Sequence, residues 1–431
     1  MDIRQLPAAS RVTAILCFLS ALCEGFDVQA AGVAATGITR ELHCAPSDLG
    51  LFFSASGAGL LIGSVVGGLA ADRWGRKITL TLSICMFGLF SLWTSFMPSL
   101  SLLTSARFLT GLGLGGAMPT LIAFAAETSA PGVRNRSIGA AYVGMPIGGS
   151  LASLLAFLLP SESWRELFRV GGLAPLFIVP ALIGFLPGRG LTTCAQPGSA
   201  RGATRVIQEL FGRGQALKTL LLWISFFLIV LMLHLMLNWL PYLLATRGLT
   251  KDSAMLAQAG FGIGGAFIAL GQAALLDSAW RRAGILVSIT ALPLALVCIA
   301  LLPARPAIVI ALALLLGGAI LAQQVIVYAV GSTCYSVETR GTALGAAVAA
   351  GRAGSLAGPL FAAALLAGGR SAAQVLLGAL PIALACGACV GLASRSRRSA
   401  LPLANTILLR KPLREREPRA GVGDSDSKRR A

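Results

Sequence analysis

Long apolar runs dominate this chain, separated by short polar connections, and each run is about the length a helix needs to cross some 30 Å of hydrocarbon. They fall at about 11-37, 49-71, 78-97, 101-126, 137-160, 168-187, 218-245, 254-276, 284-303, 306-333, 341-367 and 372-394. Twelve membrane-spanning helices are predicted, because a helix satisfies its own backbone polar groups where no water can. The longest interior polar stretch, 188-217, separates six spans from six and predicts a cytoplasmic linker between an N-terminal half (1-187) and a C-terminal half (218-394). The tail, 395-431, alternates Arg, Glu, Ser and Pro with little apolar content and reads as a disordered, basic, cytoplasmic segment.

Composition narrows the class to an all-α membrane protein. With 56% hydrophobic and 12% charged residues and a mean hydropathy of +0.80, the chain is too apolar for a soluble domain of 431 residues. A net charge of +18 on a soluble protein would point to nucleic acid. Here most of the Lys and Arg fall on connections to one side, which places both termini in the cytoplasm of a bacterial-type inner membrane and implies no nucleic-acid partner. The 51 glycines recur at spacings such as Gly59-Gly63-Gly67 and Gly111-Gly115 that let helices pack backbone to backbone. The nine cysteines, Cys386-x-x-Cys389 included, read as small core residues; no disulfide, metal or cofactor is expected, and the chain is read as a monomer.

Against that background the stretch Cys23-Glu24-Gly25-Phe26-Asp27-Val28-Gln29 in the first span stands out. Each carboxylate at mid-membrane costs roughly 2.5–3.5 kcal/mol on insertion scales. Glu24 and Asp27 lie at i and i+3, on one face of a helix, and Gly25 thins that face so that another group can approach. Two acids this close do not both ionise freely, which suits a proton relay.

Other polar residues in the spans extend the site. A ligand held among spanning helices needs a partner for any charge it carries, an apolar slot and hydrogen-bond partners for its polar groups. Arg352 is the candidate to hold an anionic ligand, while Arg107, nearer its helix end, suits a structural or gating pair. His234, Asn238 and Tyr242, at i, i+4 and i+8, form one polar stripe, and Gln323, Gln324 and Tyr328 add amides and a phenol. Phe26 and Trp239 are candidates for stacking on a ring. Glu127 with Arg134, and Glu338 with Arg340, read as ion pairs at helix ends that gate or brace the two halves. The glycines of 260-265 lack the Lys-[Ser/Thr] of a phosphate loop, and no nucleophile elbow or redox site is present, so an ion gradient must supply energy and no enzyme is expected.

The halves repeat. Gly68 to Lys77 after the second span recurs as Ala273 to Arg282 after the eighth, both keeping an Asp (Asp72, Asp277) followed by two basic residues, Arg281 leading the second pair. Arg136 to Ala141 recurs at nearly the same offset as Arg340 to Gly345. The loop Gly68-x-x-x-Asp72-Arg73-x-Gly75-Arg76-Lys77 resembles the signature of the major facilitator superfamily. That resemblance implies two six-helix halves and a latching role for Asp72, Arg73 and Arg76; Ala273, Ser278 and Trp280 wear the second copy.

Within the superfamily, Glu24-Gly25-Phe26-Asp27 resembles the first-span signature of the aromatic acid:proton symporters, with Glu24 where most have Asp. Asn238-Trp239-Leu240-Pro241 and Gly351-Arg352-Ala353-Gly354 match the family further along, and the first-span stretch from Glu24 to Gly32 most resembles the branch that imports 3-(3-hydroxyphenyl)propionate. The resemblance implies proton-coupled import of an aromatic acid, a hydroxyphenylpropionate above all, by alternating access. Two alternatives stand beside it. One is an efflux antiporter, loosely echoed by Gly144 to Gly149 with Pro146 one residue late; the other is a ligand sensor, which would not need the titratable acids.

Overall fold

The computed structural model describes residues 8–128, 134–186, 210–212, 215–335 and 340–395. The apolar runs become helices α1 (Ala8–Leu42), α2 (Pro46–Trp74), α3 (Arg76–Thr94), α4 (Leu100–Thr128), α5 (Arg134–Leu158) and α6 (Trp164–Phe185). After the linker come α7 (Ala216–Thr246), α8 (Lys251–Leu276), α9 (Arg281–Leu301), α10 (Pro306–Cys334), α11 (Arg340–Ala367), α12 (Ala372–Gly378) and α13 (Leu380–Arg395). No strand occurs among the described residues. Among the described residues eleven helices are long and apolar enough to cross a membrane, and the apolar part of α5, Tyr142–Leu158, is shorter. The last expected span is two helices. Pro381 has no N–H to give the carbonyl of Leu377, and the helix breaks at Ala379 just before it. The linker and tail expectations fall almost wholly outside the described residues.

Residues Met1–Ser394 make one compact unit, and the pattern of packing inside it is duplicated. α1 packs on α5, α2 on α4 and α3 on α6; six helices later α7 packs on α11, α8 on α10 and α9 on α12. The unit from Arg395 onward lies, apart from Arg395 itself, outside the described residues. Glycines set the closest pairs, as their spacing predicts. A Cβ on Gly63 or Gly111 would strike backbone of α4 or α2, and one on Gly264 or Gly317 would strike backbone of α10 or α8.

Three helix pairs carry most of the packing between the halves, α1 with α7, α2 with α11 and α5 with α8, and the backbone-close contacts gather toward one end. Gly32 lies on Leu237 and Asn238, Gly57 on Ser355, and Gly262 on Pro146 and Ser150. Ser54 donates to the carbonyl of Leu356 at 3.0 Å, and Ser150 to that of Ala259 at 3.0 Å. Lys251 donates to the carbonyl of Leu159, at the end of α5, where a cation suits the helix dipole. This is the end that carries the α1–α2, α5–α6, α7–α8 and α11–α12 connections. At one corner of it Glu41 accepts from Trp164 Nε1 at 2.7 Å and Arg165 at 2.5 Å, and Arg165 also donates to the carbonyl of Met97 at 3.1 Å. These bonds hold α1 helical to Leu42, beyond the expected 37.

Candidate functional site

The α1 stretch from Cys23 to Gln29 is buried throughout except for Val28. Gly25 makes that possible, since any Cβ there would run into the backbone of Met145 on α5. Glu24 and Asp27 are both 0% exposed, yet their surroundings differ sharply. Asp27 turns toward α3 and α4. Its Oδ1 accepts from Ser91, its Oδ2 accepts from Arg107 at 2.8 Å, and Arg107 also donates to its backbone carbonyl at 3.3 Å. Arg107 is 1% exposed, and its guanidinium carbon lies 5.6 Å from the ring centroid of Phe168. The pair role expected for Arg107 is therefore filled from within the same half.

Glu24 turns toward the seam instead. Among the described residues neither of its carboxylate oxygens has a hydrogen-bond partner, although both are buried. Its strongest electrostatic neighbour is Arg352 of α11, half-buried in the opposite half. The field of Arg352 also reaches His234 on α7 and Tyr142 on α5. Tyr142 meets Tyr328 of α10 edge-on, with ring centroids 6.1 Å apart, and Tyr328 in turn stands edge-on to Phe226 at 4.9 Å. One acid, one guanidinium, one imidazole and two phenols from five helices thus lie within electrostatic or ring contact across the two halves.

Most of the expected site residues make their hydrogen bonds within their own half. His234 Nδ1 is 3.0 Å from the carbonyl of Val230, and the Asn238 amide donates to the carbonyl of His234 at 2.7 Å, so the polar stripe bonds largely along its own helix. Trp239 is wholly buried: its Nε1 donates to the carbonyl of Pro359 at 3.0 Å and its ring is edge-on to Phe53 and to the half-buried Tyr242. Gln323 faces inward within the later six helices, donating to the carbonyl of Ser288 at 2.8 Å and accepting from Cys386. Phe26 lies against Gly171 of α6, and Gln324 is half-buried on α10.

Residues 17–278 match the profile of the Major Facilitator Superfamily. The chain belongs to that superfamily. It is 36% identical to the 3-(3-hydroxy-phenyl)propionate transporter of Escherichia coli (strain K12), over 90% of this chain and 95% of that protein. It is 29% identical to the gallate transporter of Pseudomonas putida, over 85% and 88% of the two chains. Among solved structures, a bacterial homolog of the human lysosomal transporter Spinster, inward-facing and occupied, superposes with a TM-score of 0.74 at 16% identity, covering 90% of this chain and 98% of that one. A D-xylose-proton symporter follows at 0.69 and 16%, covering 88% and 96%. At such identities the likeness is one of fold.

The superfamily's loop motif sits at the end opposite the close seam contacts. Asp72, Arg73 and Asp277 are exposed there, and Arg76 and Arg281 are half-buried. Lys77 donates to the carbonyls of Ile183 and Leu186 at 2.6 and 2.8 Å, fastening α3 to the end of α6. Glu338 and the side chains of Glu127, Arg134 and Arg340 lie outside the described residues.

Four participants escape sequence reasoning. Ser91, Ser150 and Gln258 are ordinary polar residues in apolar helices and carry no signal by themselves. Gln258 donates to Gln29 at 2.9 Å, and Gln29 donates to the carbonyl of Leu237 at 3.0 Å, tying α8, α1 and α7 together. That carbonyl is free because Pro241 sits four residues on and has no N–H. Tyr142 did carry a signal: it is one of four tyrosines in the chain and lies within an otherwise apolar span.

Proposed function

We propose that this multi-pass membrane protein is a proton-coupled symporter that imports an aromatic carboxylate, with a hydroxylated phenylpropionate as its cargo. The reading is carried by Glu24, a fully buried carboxyl with no hydrogen-bond partner among the described residues, set against Arg352 across the seam. A buried acid without a structural partner is free to change its protonation with its surroundings. The superfamily and the aromatic-acid relatives supply the substrate class.

In the proposed cycle Glu24 takes up a proton from the outward-facing cavity, with Asp27 held beside it by Arg107. With Glu24 neutral, Arg352 is released to bind the incoming carboxylate, while His234, Tyr328 and Gln324 offer polar contacts to the ring substituents. The halves 1–187 and 218–394 rock about the site, with 188–217 as their linker. Loss of the proton to the cytoplasm then returns Glu24 to Arg352, and the anion leaves. The seam sealed by Gln29, Gly32, Gly57 and Ser150 faces the periplasm, and the loop carrying Asp72, Arg73 and Arg76, with its counterpart at Asp277 and Arg281, latches the cytoplasmic face of an inner-membrane monomer.

The test is uptake of radiolabelled 3-(3-hydroxyphenyl)propionate by cells with and without an uncoupler, for the native protein and Glu24→Gln. Accumulation that collapses with the uncoupler and in the variant is expected. Accumulation that survives both overturns the coupling, and accumulation that rises with the uncoupler identifies efflux.

A further inference from the structure

Two phenols stand on opposite sides of the seam in a way that nothing in the acid–guanidinium pair requires. Tyr142 belongs to α5 and Tyr328 to α10, helices whose main packing partners are α1 and α8 and, for α10, α8 and α9. The rings meet edge-on at 6.1 Å and 61°. Tyr328 is fixed from behind by the buried Phe226, edge-on at 4.9 Å and 87°, so its phenol direction is set by packing. Tyr142 is 38% exposed and keeps a free flank. Both lie nearer than Glu24 and Arg352 to the helix ends opposite the sealed seam, Tyr142 eight residues into α5 and Tyr328 six from the end of α10. Arg352 and Glu24 both act on Tyr142 electrostatically, which puts that phenol in the same space as the acid and the guanidinium.

Such an arrangement has a chemical meaning. A packed apolar floor would serve for any aromatic ring, and Phe at both positions would keep every ring contact just described. What Tyr adds is a hydroxyl that both donates and accepts, and the two hydroxyls are close enough to act on each other within reach of the field of Arg352. A site built around such groups favours a ligand that completes their hydrogen bonds and disfavours one that leaves them unpaired.

We propose that Tyr142 and Tyr328 are the specificity-determining residues for a hydroxyl on the substrate ring, one phenol contributed by each half. This rests on the reading of the seam as an aromatic-carboxylate site and names the feature of the substrate read there. Because the two phenols come from different halves, the hydroxyl is gripped from both sides only when the halves are close, and the grip loosens as they part.

The experiment compares competition by 3-(3-hydroxyphenyl)propionate and by 3-phenylpropionate, which lacks the ring hydroxyl, in the native protein and in Tyr142→Phe and Tyr328→Phe. The readout is the ratio of their apparent affinities, measured both as uptake inhibition in cells and as direct binding to purified protein. The native protein is expected to prefer the hydroxylated acid, and each variant to lower that preference about tenfold, as for one buried hydrogen bond lost. A ratio that both variants leave at the native value overturns the proposal while the carboxylate site stands. Failure of the native protein to bind either acid overturns the site itself and the proposal with it. Should Tyr328→Phe fail to fold, Tyr142→Phe decides alone, since its ring is partly free of packing.

Discussion

Arg107 and Asp27 form a salt bridge of 2.8 Å in which neither side chain is more than 1% exposed. A buried pair of this kind contributes little net stability, but removal of one member strands the other charge in a dry core at roughly 3–5 kcal/mol. Asp27→Asn and Arg107→Met should therefore each lower the unfolding midpoint of the detergent-purified protein markedly, while Asp27→Leu combined with Arg107→Met recovers most of the loss. A double variant less stable than either single one contradicts the account.

Glu24 predicts the opposite balance. Its oxygens make no hydrogen bonds, so Glu24→Gln removes none, and stability should stay within about 1 kcal/mol of native or rise. Accumulation of substrate should nevertheless be lost. Parallel melting curves and uptake assays check both, and a strongly destabilised Glu24→Gln protein would mean that the carboxylate has a structural task.

Two signature glycines should respond differently to one methyl group. Gly25→Ala drives a Cβ into the backbone of Met145 and should cost about 1–3 kcal/mol or prevent insertion of a folded protein. Gly68 has nothing within 4 Å of where its Cβ would be, and Gly68→Ala should gain up to about 1 kcal/mol from helix propensity. Folded yield from detergent extracts distinguishes them, and equal yields would contradict the packing described for α1 and α5.

The Gln29 amide serves a carbonyl that Pro241 leaves open. Gln29→Leu should weaken the sealed end by about 1–3 kcal/mol, because it strands the Leu237 carbonyl. Pro241→Ala supplies an N–H within α7 and should reduce that loss. Thiol labelling of a cysteine introduced at Val33, in a cysteine-free background, reads the opening: faster in Gln29→Leu, and partly restored in the double variant.

The periodic features of this fold were legible in the sequence. Twelve apolar runs, the glycine spacings, the loop from Gly68 to Lys77 and the Glu24–Asp27 pair follow from composition and local pattern, and the family resemblance followed from the same residues. Which neighbour each side chain chooses was not legible. Glu24 and Asp27 share a helix face by spacing, but the 60° between i and i+3 sends one toward α11 and the other toward α4, and that rotation is fixed by Gly25 and Gly148 against their partners. Trp239 adjoins the polar stripe yet projects about 100° away from Asn238, into α11, where Pro359 receives its N–H. Gln323 and Gln324 divide in the same manner between a bundle interior and the side nearer the seam.

The corner where Glu41 holds Trp164 and Arg165, and Arg165 holds the carbonyl of Met97, joins the ends of α1, α3 and α6 without involving any later helix. Whatever swing carries cargo across, these three helix tips travel together. Spectroscopic labels placed around that knot give a fixed ruler inside a moving machine, against which every displacement of the later helices can be measured.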